Sequence, residues 1–224
     1  MTHTHHRRGN RESLTGDWVI LAMTQAEVPA QRVNIDERFN KLVAICAKHN
    51  PVGIASRDTS GVTHRYQKGW DKSMDSGVHL SATIDEVVKD ANLLRHAVYT
   101  RKDDVLAVVK ELKEANLGIS VVVSGVLDEV FDVCKKADTG PHTVNMSGET
   151  LGKTELMPEP EILELVTMCG HAFISRHLAR YLINRVKQGN ISPEDAAVEL
   201  GKQCTCNIFN VVRGADLVRK AAAI

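Results

Sequence analysis

The sequence predicts an α/β fold, with an open, mostly parallel sheet flanked by helices and an all-helical C-terminal subdomain appended to it. Two observations carry this expectation. Short apolar runs alternate with amphipathic helical stretches through the first two-thirds of the chain, and beyond residue 147 the strand signals stop while helical spacing continues. The expected organisation is a flexible N-terminal arm over residues 1–15, an α/β domain over 16–150 and a helical subdomain over 151–224. A chain of 224 residues is long enough to bury a sizeable core in such an arrangement.

The arm carries His3, His5, His6, Arg7, Arg8 and Gly9. It reads as a solvated terminus, with Arg7 and Arg8 able to fold back over a site, because guanidinium forks suit carboxylates and phosphates. The run WVILAM at Trp18–Met23 is short, continuous and apolar, as in a buried strand. Ile35, Phe39, Leu42, Val43 and Cys46 recur at helical spacing, so a helix is expected to about residue 48, with Pro51 stopping it. Residues 50–77 are rich in Gly, Ser, Asp, Thr and His and show little periodicity. They predict a long loop with one short strand at 52–55, in which His64, Arg65, Tyr66, Trp70 and Asp71 would line a pocket as a lid.

A strand at 78–82, a helix at 84–94 and a strand at 97–100 follow. Val105, Val108, Val109 and Leu112 mark one face of a helix at 103–115, residues 119–123 read as a buried strand, and Val126, Val130, Phe131 and Cys134 mark a helix at 126–136. With a last strand at 142–146, residues 97–146 read as a β-α-β-α-β unit of parallel strands with right-handed crossovers. Helices are expected at 161–169, 175–187, 193–202 and 211–222. The third of these has a clear start, with Ser192 as an oxygen cap, Pro193 in the first turn and Asp195 at the third position.

The 28 basic and 28 acidic residues cancel, which argues against a dedicated nucleic-acid or anionic-membrane binder. No apolar run reaches the roughly 18 residues needed to span a bilayer, and the first residues lack the apolar stretch of a secretion signal. Five cysteines, an odd number in a long chain, read as reduced thiols of a cytoplasmic protein. The expected partner is a small-molecule substrate, with self-association into a homo-oligomer as a further possibility.

The chemistry is expected in the C-terminal third. Cys169-Gly170-His171 ends one helix and Cys204-Thr205-Cys206 joins two others, so four soft or borderline ligands fall in two short irregular segments. Three thiolates and an imidazole complete a tetrahedral zinc site, and three thiolates also hold an iron-sulfur cluster with one iron open. Packed structural cysteines and a redox pair at Cys204 and Cys206, just before a helix N-terminus, are the competing readings. Cys46 and Cys134 continue apolar stripes and read as core.

The segment Ser147-Gly148-Glu149-Thr150-Leu151-Gly152-Lys153-Thr154 approaches a phosphate-binding loop but has serine for the first glycine, and Pro158 and Pro160 interrupt the helix that should follow. It lies at the carboxyl end of an expected strand, where open α/β sheets place ligands. On this reading Cys169, His171, Cys204 and Cys206 ligate metal in a zinc or iron-sulfur protein. His171 and Lys153 are the candidate catalytic groups, and Asn145, Ser147 and Arg176 would bind the cofactor or an anionic substrate. A non-catalytic assembly protein is the alternative.

Overall fold

A computed structural model describes residues 4, 6–23, 34–57, 63–70, 79–89, 96–148 and 150–224. Its strands are β1 (Trp18–Met23), β2 (Gly53–Arg57), β3 (Thr63–Gln67), β4 (His79–Ser81), β5 (His96–Tyr99) and β6 (Ser120–Ser124). Its helices are α1 (Arg11–Thr15), α2 (Ile35–Ala47), α3 (Ile84–Lys89), α4 (Lys102–Ala115), α5 (Leu127–Lys136), α6 (Pro160–Val166), α7 (Arg176–Lys187), α8 (Pro193–Lys202) and α9 (Val211–Ala222). The strands form one open sheet in the order β4-β3-β2-β5-β1-β6.

The fold is mixed α/β, but the expected parallel sheet is not what forms. β1 is antiparallel to both β5 and β6, β2 is antiparallel to β3 and β5, and only β3 and β4 pair in parallel. β5 and β6 do run in the same direction with α4 between them, as a crossover requires, yet β1 is inserted between them. Alternation of element types reveals a crossover, but it does not reveal which strand fills the gap. The fully apolar β1 takes the slot because it can be buried on both faces: Trp18 and Ile20 pack with α2–α5 on one side, and Val19 packs with the C-terminal helices on the other.

Two local expectations are also corrected. Residues 142–146 do not form a strand. They are exposed and have no ladder partner, so β6 remains the sheet edge. His142, Thr143 and Asn145 offer no apolar face to bury, which removes the gain a seventh strand would need. Conversely, the loop at 50–77 contains β3, whose Thr63, Arg65 and Gln67 are buried while His64 and Tyr66 are half-buried. A strand that turns polar side chains inward defeats a search for apolar alternation. Arg65 is therefore interior rather than part of a lid. Asp71 lies outside the described residues, as do His3 and His5 and residues 90–95 of the expected helix at 84–94.

The helices of the last third match their expected spans to within a few residues and share a core with the sheet, through Val19, Val52 and Val98 against Ile162, Leu165, Met168, Leu200, Ile208 and Phe209. α9 packs against α8 at very short range, because Gly214 leaves room for Phe209 and Ala197. A Cβ there would stand 2.8 Å from the Phe209 ring. The N-terminal segment is tied into the same layer. Asp17, at the foot of β1, lies 2.9 Å from Arg213 Nη1 and 3.1 Å from Arg7 Nε, with side-chain exposures of 0%, 3% and 6% respectively for the acid, Arg213 and Arg7.

Asp17 is the shared acid of two buried guanidinium groups, and burial already depresses the pKa of Arg213. Asp17→Asn is expected to cost about 3 kcal/mol, because it leaves the buried Arg7 without its counter-charge and Arg213 with only Glu164, 3.6 Å away. Urea unfolding of the variant measures this, and a loss under about 1 kcal/mol would show the cluster to be dispensable.

Candidate metal centre

The two cysteine segments come together between the ends of α6, α8 and α9. Cys169 lies three residues beyond α6, and the chain then passes through Gly170, His171 and a left-handed Ala172 (φ 58°) before Ser175 caps α7. Cys204 and Cys206 lie between α8 and α9, ahead of Asn207, which is also left-handed at φ 59°. The Cys204 and Cys206 sulfurs are 3.9 Å apart, and Cys206 Sγ is 3.6 Å from His171 Nδ1. The Cys169 thiol bonds Cys204, so the order of contact is Cys169, Cys204, Cys206, His171. All three cysteines are buried, whereas His171 is exposed and stacks on Phe173 with ring centres 5.7 Å apart.

Three polar side chains pin the Cys204–Phe209 stretch to the sheet and a fourth, Asn210, ties the residue after it to the turn before β1; only tertiary structure reveals them. From β3, Arg65 Nη1 donates to Cys204 O at 3.2 Å and Gln67 Nε2 donates to Phe209 O at 3.0 Å. Asn207 Nδ2 donates to Ile54 O at 3.2 Å and Tyr66 O at 2.9 Å, and Asn210 Nδ2 donates to Gly16 O at 3.0 Å while its Oδ1 accepts from Arg213 N as the α9 cap. From the N-terminal segment, Arg7 Nη2 donates to Met168 O at 3.2 Å and to Ile208 O. One guanidinium thereby ties the Cys169 segment to the Cys206 segment. These contacts explain the inward polar face of β3: the loop carbonyls are buried and need donors. The sequence held one signal of this, in the arginines of the N-terminal arm that could fold back.

The sulfurs are also surrounded by amides. The backbone amides of His171 and Phe173 favour the thiolate of Cys169, and that of Ile208 favours the thiolates of Cys204 and Cys206. Cys206 is the first of the three to ionise: hydrogen bonding from Cys204 lowers its pKa below the usual thiol value in spite of burial. The Cys204 value is held up at about 12, where donation to Cys206 and burial outweigh the bond it accepts from Cys169. Cys169 is raised further, by its donation to Cys204 first and burial second. Cys46 is a plain core thiol, pushed up to about 12 by burial, and Cys134 is half-buried on α5.

The other candidate residues lie elsewhere. Lys153 is exposed ahead of a 3₁₀ turn at Thr154–Leu156, and Arg176 begins α7 with its Nη1 3.4 Å from Leu156 O. Neither makes a hydrogen bond or ion pair to the cysteines among the described residues. Asn145 and Ser147 line a separate cavity beside β6. Among the described residues no three or more His, Cys, Asp or Glu side chains converge on one point as a finished metal site. The four groups instead form a chain of contacts. No helix among the described residues is long and apolar enough to cross a membrane. Comparison with protein-family models, curated proteins and solved structures returns no match.

The thiol order has a direct readout. In protein treated with a chelator Cys206 should alkylate with a midpoint below that of an ordinary cysteine. Cys204→Ala should move that midpoint upward, because the thiolate loses its main hydrogen-bond donor and keeps its burial. Iodoacetamide labelling against pH, read by peptide mass, measures both values, and an unchanged midpoint in the variant would contradict the donation.

Proposed function

We propose that this protein is a metalloprotein whose centre is held by Cys169, Cys204 and Cys206, with His171 at the exposed fourth position. The observation that carries this reading is the run of three buried thiols that ends on an imidazole, with Cys204 Sγ 3.9 Å from Cys206 Sγ and Cys206 Sγ 3.6 Å from His171 Nδ1, in a setting where nearby backbone amides favour the thiolate of each cysteine. A neutral thiol gains little from such donors. A thiolate ligated to a cation gains much more, and its residual negative charge is what the amides offset. The spacing supports a single tetrahedral ion. Ligands at typical zinc distances place two sulfurs about 3.8 Å apart and a sulfur and an imidazole nitrogen about 3.6 Å apart. The contacts of 3.9 Å and 3.6 Å match two of the six ligand-to-ligand distances of that geometry, and metal binding would require the chain of contacts to close so that Cys169 and His171 reach the same ion. A cubane iron-sulfur cluster would require sulfurs roughly 6 Å apart, so both segments would have to open.

The exposed imidazole sets the chemistry open to the centre. Three buried thiolates fix the ion, while the solvent-facing His171 is the ligand that a substrate oxygen can replace, which is the arrangement of a Lewis-acid site rather than a closed staple. A small anionic substrate is the class this favours. A second reading, a dithiol redox pair, is favoured by one observation: the lowered pKa of Cys206 in contact with Cys204.

Metal analysis of protein purified without oxygen separates these readings. About one zinc per chain without colour is expected, and Cys204→Ser with Cys206→Ser should abolish it while the chain stays folded. Iron with a broad visible absorbance would replace zinc by a cluster on the same cysteines. Protein free of metal that carries a Cys204–Cys206 disulfide after mild oxidation would overturn the metal reading in favour of the redox pair.

A further inference from the structure

A cavity of about 700 Å³ lies along the free edge of the sheet, between β6, α4, α5 and residues 139–147. Its size is that of a small-molecule site. It contains none of the four groups of the cysteine centre, and the two are joined through Arg7, which lines the cavity and also donates to the carbonyls of Met168 and Ile208. Most of the wall is apolar, with Val109, Leu112, Val121, Val123, Val130 and Phe131 contributing aliphatic and aromatic surface.

One end differs. Thr4, Arg7, Asp17 and Ser124 meet there, and the Thr4 and Ser124 hydroxyls bond each other. The Arg7 side chain is 94% buried by its 6% exposure, and its Nη1 has no hydrogen-bond acceptor among the described residues. An interior guanidinium nitrogen without an acceptor is costly unless a ligand supplies one. The charge balance limits what that ligand is. Arg7 shares Asp17 with Arg213, and Arg213 also faces Glu164 at 3.6 Å, so the two acids leave no more than a partial positive charge on Arg7 to answer. Lys113, the cavity's other cation, is engaged with Asp138. A dianionic phosphate would face Asp17 with too little compensation, whereas a planar monoanion matches one guanidinium and the single hydroxyl proton that the Thr4–Ser124 pair leaves free.

We propose that this cavity binds a small monocarboxylate with an apolar body, its carboxylate accepting from Arg7 and from the one hydroxyl of the Thr4–Ser124 pair that does not donate to the other, and its body lying along β6 and α5. This reading stands whether or not the cysteines hold an ion. The exposed apolar side chains of Phe131, Val144 and Met146 at the rim fit an apolar ligand that enters from the side of residues 139–147.

The probe is anilinonaphthalene sulfonate fluorescence on the full chain, with octanoate, octanol and octylammonium as competitors. Octanoate should displace the dye at concentrations about tenfold or more below those of octanol, the factor expected of a charge-assisted hydrogen bond, and octylammonium should compete no better than octanol. Val121→Trp, which fills the apolar part, should weaken dye and octanoate together, and Arg7→Gln should bring octanoate and octanol level. Melting curves identify variants that remain folded. If Arg7→Gln does not fold, the octanoate-to-octanol ratio on the native chain decides the head-group claim. Equal competition by octanol and octanoate overturns the carboxylate assignment, and unchanged dye binding by folded Val121→Trp overturns the cavity as the site.

Discussion

Asp17 occupies the point where the three parts of the chain meet, and its burial sets terms for all of them. Its carboxylate accepts from Arg213 on α9 and faces Arg7 from the N-terminal segment, while the neighbouring carbonyl of Gly16 accepts from Asn210. A buried carboxylate cannot stand alone, so the fold must bring cations to it. The cations that arrive are the residues that position the cysteine segments. Arg7 continues to the carbonyls of Met168 and Ile208, and Arg213 is held by the Asn210 cap immediately after the cysteine loop. The ion cluster thus fixes the entry of β1, the start of α9 and the spacing of the two thiol-bearing loops at once.

The cysteine loops are irregular backbone buried inside the molecule, an arrangement that usually costs unsatisfied carbonyls. Here the cost is met from the sheet. β3 gives up its apolar inward face and presents Arg65 and Gln67 to the loop, and Asn207 reaches back to β2 and β3. A loop held by so many directed bonds keeps one conformation. Such rigidity is what a site that must hold several sulfurs in fixed relation requires, and a loop packed only by aliphatic contacts would lack it.

The centre and the cavity beside β6 are neighbours that share Arg7 as a common wall. On one side this guanidinium serves carbonyls adjacent to the thiols, and on the other it bounds an apolar space closed over by residues 139–147. The free edge of β6 exists because the chain leaves α5 in an exposed, unpaired path instead of adding a strand. The same unpaired path creates the space.

Helix positions were legible in the sequence because apolar spacing, the Ser192 cap and the proline stops are local. So was the apolar continuity of Trp18–Met23, which marks a buried strand, although burial on both of its faces emerged only with the structure. The cysteines and His171 were legible as a group because no apolar stripe accounted for Cys204 and Cys206. Strand order and direction were not legible, since pairing is a contest between distant segments and the insertion of β1 between β5 and β6 leaves no local trace. β3 was hidden for a related reason: its inward residues are polar to serve a loop some 140 positions away in the chain. Residue types and periodicity determined where the helices and the apolar strand β1 form and which side chains could be candidates for a site. Tertiary structure alone decided which buried carbonyls, charges and sulfurs would face one another, because those pairings are set by the cost of leaving a polar group unmatched in the interior.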